Sequence, residues 1–128
     1  MGMNILIVDD SKVMRQMIIK TLKMSGLPLG EIHQASNGAE GFESLKAHWI
    51  DLVILDINMP VMTGEEMMNQ MRQQKEYSDI PVIVISTEGS STRIQRMEQL
   101  GARFVHKPFS PEKIRDVVYA TLNLEGGS

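Results

Sequence analysis

The sequence predicts an α/β fold: a doubly wound, five-stranded parallel sheet with five helices, arranged as a three-layer sandwich. Two observations carry this expectation. Short apolar runs alternate five times with amphipathic stretches. Runs such as Ile5-Leu6-Ile7-Val8 and Leu52-Val53-Ile54-Leu55 also lack apolar–polar alternation, as strands buried on both faces require. At 128 residues the chain suits one domain with a single core.

Strands are expected over residues 4–8, 31–35, 52–55, 81–85 and 103–106. The first, third and fourth are rich in Val, Ile and Leu and belong in the middle of the sheet. The second and fifth read as shorter and more polar, and belong at its edges. Helices are expected over 11–24, 38–46, 64–74, 90–100 and 111–124. In the first, Met14, Ile18 and Leu22 recur every four residues with Met17 beside them, and Ser25-Gly26 ends it. The second brings Ala39, Phe42 and Leu45 to one side. The third groups Met67, Met68 and Met71, and the fourth Ile94, Met97 and Leu100. The fifth uses Ile114, Val117, Val118 and Leu122, and Ser110-Pro111 opens it with a capping hydroxyl and a proline at the first helical position.

The eleven methionines mostly fall at such helical spacings and are expected in the core. Trp49 is expected to pack at a helix end. His33, His48 and His106 are read as neither clustered nor at a metal-ligand spacing, and none is given a function.

Composition narrows the function classes. Thirteen basic against sixteen acidic residues leave a net charge of -3, with no Lys/Arg run, so direct nucleic-acid binding is not expected. No apolar stretch approaches the roughly 20 residues that span a bilayer. Met1-Gly-Met-Asn leads into a strand without a signal-peptide pattern, and a cytoplasmic protein without membrane insertion is expected. The absence of cysteine removes disulfides, thiolate ligands and thiol nucleophiles. Residues 1–124 are read as the domain and 125–128 as a frayed tail or cloning scar.

The residues that carry chemistry lie at strand ends. Asp9 and Asp10 follow the first strand, and Asp56 ends the third. If these strands are parallel neighbours, three carboxylates meet at one edge, where they stay ionised only beside a cation, or else one of them takes up a proton. A hard cation such as Mg2+ takes oxygen ligands, with one or two carboxylates and a phosphate. In open α/β sheets, ligands bind outside the carboxyl ends of the strands, where Ser86 also falls. The trio therefore points to a Mg2+ site beside a carboxylate able to react.

The ordered set Asp9-Asp10, Asp56-Ile-Asn-Met-Pro-Val-Met-Thr-Gly64, Ser86-Thr-Glu-Gly89 and His106-Lys-Pro-Phe109, spread over residues 3–124, closely resembles the receiver domain of two-component response regulators. The stand-alone chemotaxis regulator is the nearest type. The resemblance implies a flavodoxin-like sheet of order 2-1-3-4-5. It implies that Asp56 accepts a phosphoryl group from a histidine kinase, and that Asp9, Asp10, Asp56 and the Asn58 backbone carbonyl hold Mg2+. Ser86 would donate its hydroxyl to a phosphoryl oxygen, and Lys107 would set a positive charge against another, consistent with catalysis by positioning and charge neutralisation.

Ser86 and Phe104 match the family's switch pair, Ser standing for the commoner Thr and Phe for the frequent Tyr. Asn58 and Glu88 fall at the two positions that tune phosphoryl lifetime, and a short-lived state is expected. The implied partners are the kinase and a downstream target, either a flagellar motor component, another output protein or an appended output domain. They would be engaged through the face of the fourth helix, fifth strand and fifth helix by a monomer or weak dimer. Such a protein is not an enzyme on an outside substrate and catalyses only its own phosphorylation and dephosphorylation.

The competing class is a Mg2+-dependent phosphatase or phosphotransferase that forms an aspartyl phosphate while acting on a small molecule. It needs a substrate-covering cap and a second acid/base carboxylate, and the elements leave no room for a cap. A flavodoxin-like cofactor binder lacks support, because no strand-following loop has a Gly-x-Gly-x-x-Gly or Walker pattern.

Overall fold

The computed structural model describes residues 2–56, 62–86, 91–106 and 109–122. The elements run β1 (Met3–Val8), α1 (Lys12–Met24), β2 (Leu29–Ala35), α2 (Gly38–Ala47), β3 (Leu52–Leu55), α3 (Gly64–Gln73), β4 (Val82–Ser86), α4 (Ser91–Gln99), β5 (Arg103–His106) and α5 (Pro111–Leu122). The five strands form one parallel sheet in the order β2-β1-β3-β4-β5, the expected one.

Continuous apolar strands are needed because both faces are covered. Leu6, Val8, Val53, Leu55, Val82 and Val84 face one way and pack with Phe42 and Leu45 of α2, Met67, Met68 and Met71 of α3, and Met97 of α4. Their neighbours Ile5, Ile7, Leu52, Ile54, Ile83 and Ile85 face the other way, against Ile18 and Leu22 of α1 and Ile114 and Val118 of α5. Ile94 of α4 and Leu100 just past its end are half-buried, as are Val117 and Leu122 of α5.

Side-chain caps set the helix starts. Ser11, Asn37 and Ser110 accept from the backbone N–H of Met14, Glu40 and Lys113. Thr63 and Glu66 form a reciprocal capping box. Gly26, at φ +82°, turns the chain out of α1 just past the Ser25 cap.

Four expectations are corrected. β2 lies at an edge but, at seven residues, is the longest strand. It pairs with β1 alone, so its backbone ladder extends it without an apolar run. Met17 is 53% exposed, and Ala39 is exposed too. Each lies about a third of a turn from the centre of its helix's buried stripe at 3.6 residues per turn. Trp49 is 78% exposed; it stands just past the C-cap of α2, and its indole Nε1–H donates to Asp51 Oδ1 at 2.9 Å. The fourth correction concerns the histidines: His33 and His48, 15 residues apart in the chain, stack with ring centroids 3.8 Å apart.

Candidate functional site

β1 and β3 are central, adjacent and in register, with Val8 opposite Leu55. The backbone ladder continues one step beyond them: Asp56 N–H donates to Val8 O at 3.0 Å, and Asp9 N–H donates to Ala35 O at 3.1 Å. Backbone pairing thus places both aspartates at the carboxyl end of the sheet, and Asp10 follows in the turn to α1. Carboxylate oxygens of Asp9, Asp10 and Asp56 lie within 4.8 Å of one another. Asp9 is buried, Asp56 half-buried and Asp10 exposed, so the cluster opens to solvent on one side.

Two supports fix Asp9. Its Oδ1 accepts the Ser11 N–H at 2.9 Å, and Arg15 Nη1 donates to its backbone carbonyl at 2.6 Å. Arg15 is anchored in turn by Gln34 Oε1 at 3.0 Å. The sequence reading missed Arg15; its only signal was its place one turn into the helix that follows the aspartate pair.

On the far side of the site, the N–H of Gly38 donates to Met62 O at 3.3 Å, joining the start of α2 to the segment before α3. A Cβ on Gly38 would come within 2.7 Å of the Met62 side chain. Glycine thus permits this close approach. Nearby, Glu40 Oε1 accepts the Ser36 N–H at 3.0 Å, which, with Arg15 close by, holds the Glu40 carboxyl below its ordinary range.

Ser86 ends β4, opposite His106 in β5. Phe104, opposite Val84, is half-buried against the α2–α4 side of the core and meets His106 edge-on at 4.6 Å. Phe104 also borders a surface groove of about 580 Å3 with Arg103, Lys113 and Val117, between β5 and α5. Arg96 of α4 grips Glu65 of α3 through two hydrogen bonds of 2.8 and 3.1 Å, and this pairing raises the pKa of Arg96. Asn58, Glu88 and Lys107 lie outside the described residues.

The donor set at the aspartate cluster is entirely carboxylate, which fits a hard divalent cation of the Mg2+ kind and not a soft or nitrogen-preferring one. Asp9, Asp10 and Asp56 are the side chains that would hold it.

Comparison with known proteins agrees with this geometry. The family model of the response regulator receiver domain matches residues 5–119. The chemotaxis protein CheY homolog of Campylobacter jejuni is 35% identical over 122 residues, covering 91% of this chain and 92% of that protein. The structure of Vibrio cholerae CheY4 superposes with a TM-score of 0.84 at 34% identity, covering 95% of this chain and 100% of that one. A CheX-CheY-BeF3-Mg2+ complex from Borrelia burgdorferi matches with a TM-score of 0.82 at 29% identity, covering 92% and 87%. The chain belongs to the response regulator receiver domain family of two-component signalling. Within that family it is CheY-like.

Proposed function

We propose that this chain is a phosphorylation-driven switch in which Asp56 accepts a phosphoryl group from a histidine kinase in a Mg2+-dependent reaction. The observation that carries this reading is the convergence of Asp9, Asp10 and Asp56 at adjacent strand ends. A carboxylate oxygen of Asp56 forms the new P–O bond as the kinase's phosphohistidine P–N bond breaks. Asp9, buried and held by Ser11 and Arg15, and Asp10 would supply fixed negative charge for the metal, and the family likeness adds the Asn58 backbone carbonyl to the ligands. When bound, Mg2+ neutralises charge on the phosphoryl oxygens and the acceptor. The roles of Ser86 and Lys107, hydroxyl donor and countercharge, come from the family likeness and the positions of Ser86 at the end of β4 and Lys107 just past β5.

The output follows from a population shift. Ser86 turns toward the phosphoryl group, Phe104 follows, and the α4-β5-α5 face changes its preference for a target protein or an appended output domain. The groove beside Phe104 and the Arg96–Glu65 tether of α4 give that face elements able to respond. Asn58 and Glu88 tune a short phosphoryl lifetime. The receiver unit works in the cytoplasm as a monomer or weak dimer and turns over no outside substrate. The Borrelia burgdorferi complex, which contains Mg2+ and BeF3, supports the same chemistry here.

Incubation with Mg2+ and acetyl phosphate tests the assignment by intact mass. One phosphoryl adduct is expected on the wild type and none on Asp56→Asn. An adduct that persists in Asp56→Asn, or one that forms without a divalent cation, overturns it.

A further inference from the structure

We propose a second metal site, for a first-row transition ion of the Zn2+ type, formed by Glu31, His33 and His48 toward the amino end of the sheet. Glu31 and His33 lie two apart on β2 and so share a face, the one covered by α2. His48 is the C-cap of α2, which runs back from the carboxyl end of the strands. One ligand atom from each of the three residues lies within 4.8 Å of the others. His33 Nε2 sits 3.0 Å from Glu31 Oε1, and the two imidazoles stack at 3.8 Å with an 18° interplanar angle.

Two imidazole nitrogens and a carboxylate oxygen form a borderline donor set that favours Zn2+ over Mg2+, the reverse of the aspartate cluster. A tetrahedral ion with bonds of about 2.0–2.1 Å needs donors roughly 3.4 Å apart. Reaching that spacing requires the stacked rings to part, and His48, exposed at the end of α2, is the side chain that would turn, with water taking the fourth position.

The scaffold beneath the three residues is already tied. Asn4 Oδ1 accepts the Glu31 N–H at 2.9 Å, and Asn4 Nδ2 donates to Trp49 O at 3.1 Å, so one side chain holds the backbone of Glu31 and of the residue after His48. Asp51 Oδ2 accepts the Asn4 N–H at 2.8 Å and its Oδ1 accepts from the Trp49 indole. Edge strand and helix end are thus joined before any ion arrives, and a bound ion would staple β2 to α2.

Isothermal titration with Zn2+ tests the site, run with excess Mg2+ so that the aspartate cluster is occupied. One equivalent is expected to bind the wild type, with affinity at least tenfold weaker in His48→Gln and in His33→Gln. Because the exposed His48 carries little of the fold, His48→Gln decides the question even where His33→Gln unfolds. The single tryptophan, Trp49, gives a second reading: Ni2+ should quench its emission in the wild type and not in His48→Gln. Zn2+ binding unchanged in His48→Gln overturns the proposal, as does Zn2+ binding that is lost in Asp56→Asn. Acetyl phosphate labelling of His48→Gln at the wild-type rate keeps this result separate from the switch.

Discussion

At the carboxyl end of the sheet, Asp9 and Asp56 meet because parallel pairing in register continues one step past two central strands, and Asp10 follows Asp9 in the turn. At the amino end, Glu31, His33 and His48 meet because an edge strand packs against the far end of a helix. The first cluster is all carboxylate and depends on backbone ladders. The second mixes nitrogen and oxygen donors and depends on side-chain ties, chiefly Asn4. A site built on ladders is fixed once the strand order is fixed, whereas a site built on packing needs its supporting side chains one by one.

Substitutions can break the comparison at either end. The largest effect is expected from Asp9→Asn, which removes one charge from the ladder-held cluster. Labelling by acetyl phosphate should slow by about 10²- to 10³-fold, or about 3–4 kcal/mol in barrier, measured by intact mass over time. A rate within threefold of wild type would mean that Asp9 is not part of the site.

Arg72 tests the amino end. Its guanidinium donates to Leu100 O at 2.7 Å, Ser78 O at 3.1 Å and Ile80 O at 2.9 Å, tying α3 to the segments that precede β4 and β5. Burial lowers its pKa, opposed by the charge of Asp79. Arg72→Met should cost about 3 kcal/mol in urea unfolding, since three carbonyls lose a charged donor. Its labelling rate should stay near that of the wild type.

Asn4→Ala, which cuts the tie between Glu31 and Trp49, should cost about 2 kcal/mol for two lost hydrogen bonds at a half-buried site. It should also weaken Zn2+ binding while leaving labelling at Asp56 unchanged. Equal effects on both would mean that the two ends are not independent.

The smallest effect is expected at Glu40, whose lowered pKa makes its contribution dependent on pH. A carboxylate with a folded pKa below its unfolded value, about 4.3 for Glu, stabilises fully above that value and loses the contribution as pH falls through the folded pKa. Glu40→Gln should therefore show a slightly lower urea midpoint than wild type at pH 7, with the gap closing below about pH 4.

Much of the fold was legible because strands buried on both faces must be apolar at every position, as at Leu52–Leu55, where all four residues are buried. The aspartate cluster was legible for a related reason: Asp9 and Asp56 follow such runs directly, so strand adjacency alone brings them together. Met17 and Ala39 misled because spacing in sequence marks a helical stripe without marking its edges. Trp49 misled because its size suggested burial, while its indole N–H finds Asp51 at the surface. Asn4 gave no signal and Arg15 only its place one turn into α1, since a polar residue that ties backbone segments looks the same in sequence as a solvated one.

The sequence by itself determined the layers, the strand and helix order, and the end of the sheet where the carboxylates gather, because hydrophobic period and strand-end position are local properties of the chain. Only the tertiary structure decided that His33 and His48 stack and that Asn4 binds their two segments together. Those contacts join residues 15 and more apart through the packing of β2 against α2, and no spacing along the chain encodes that distance.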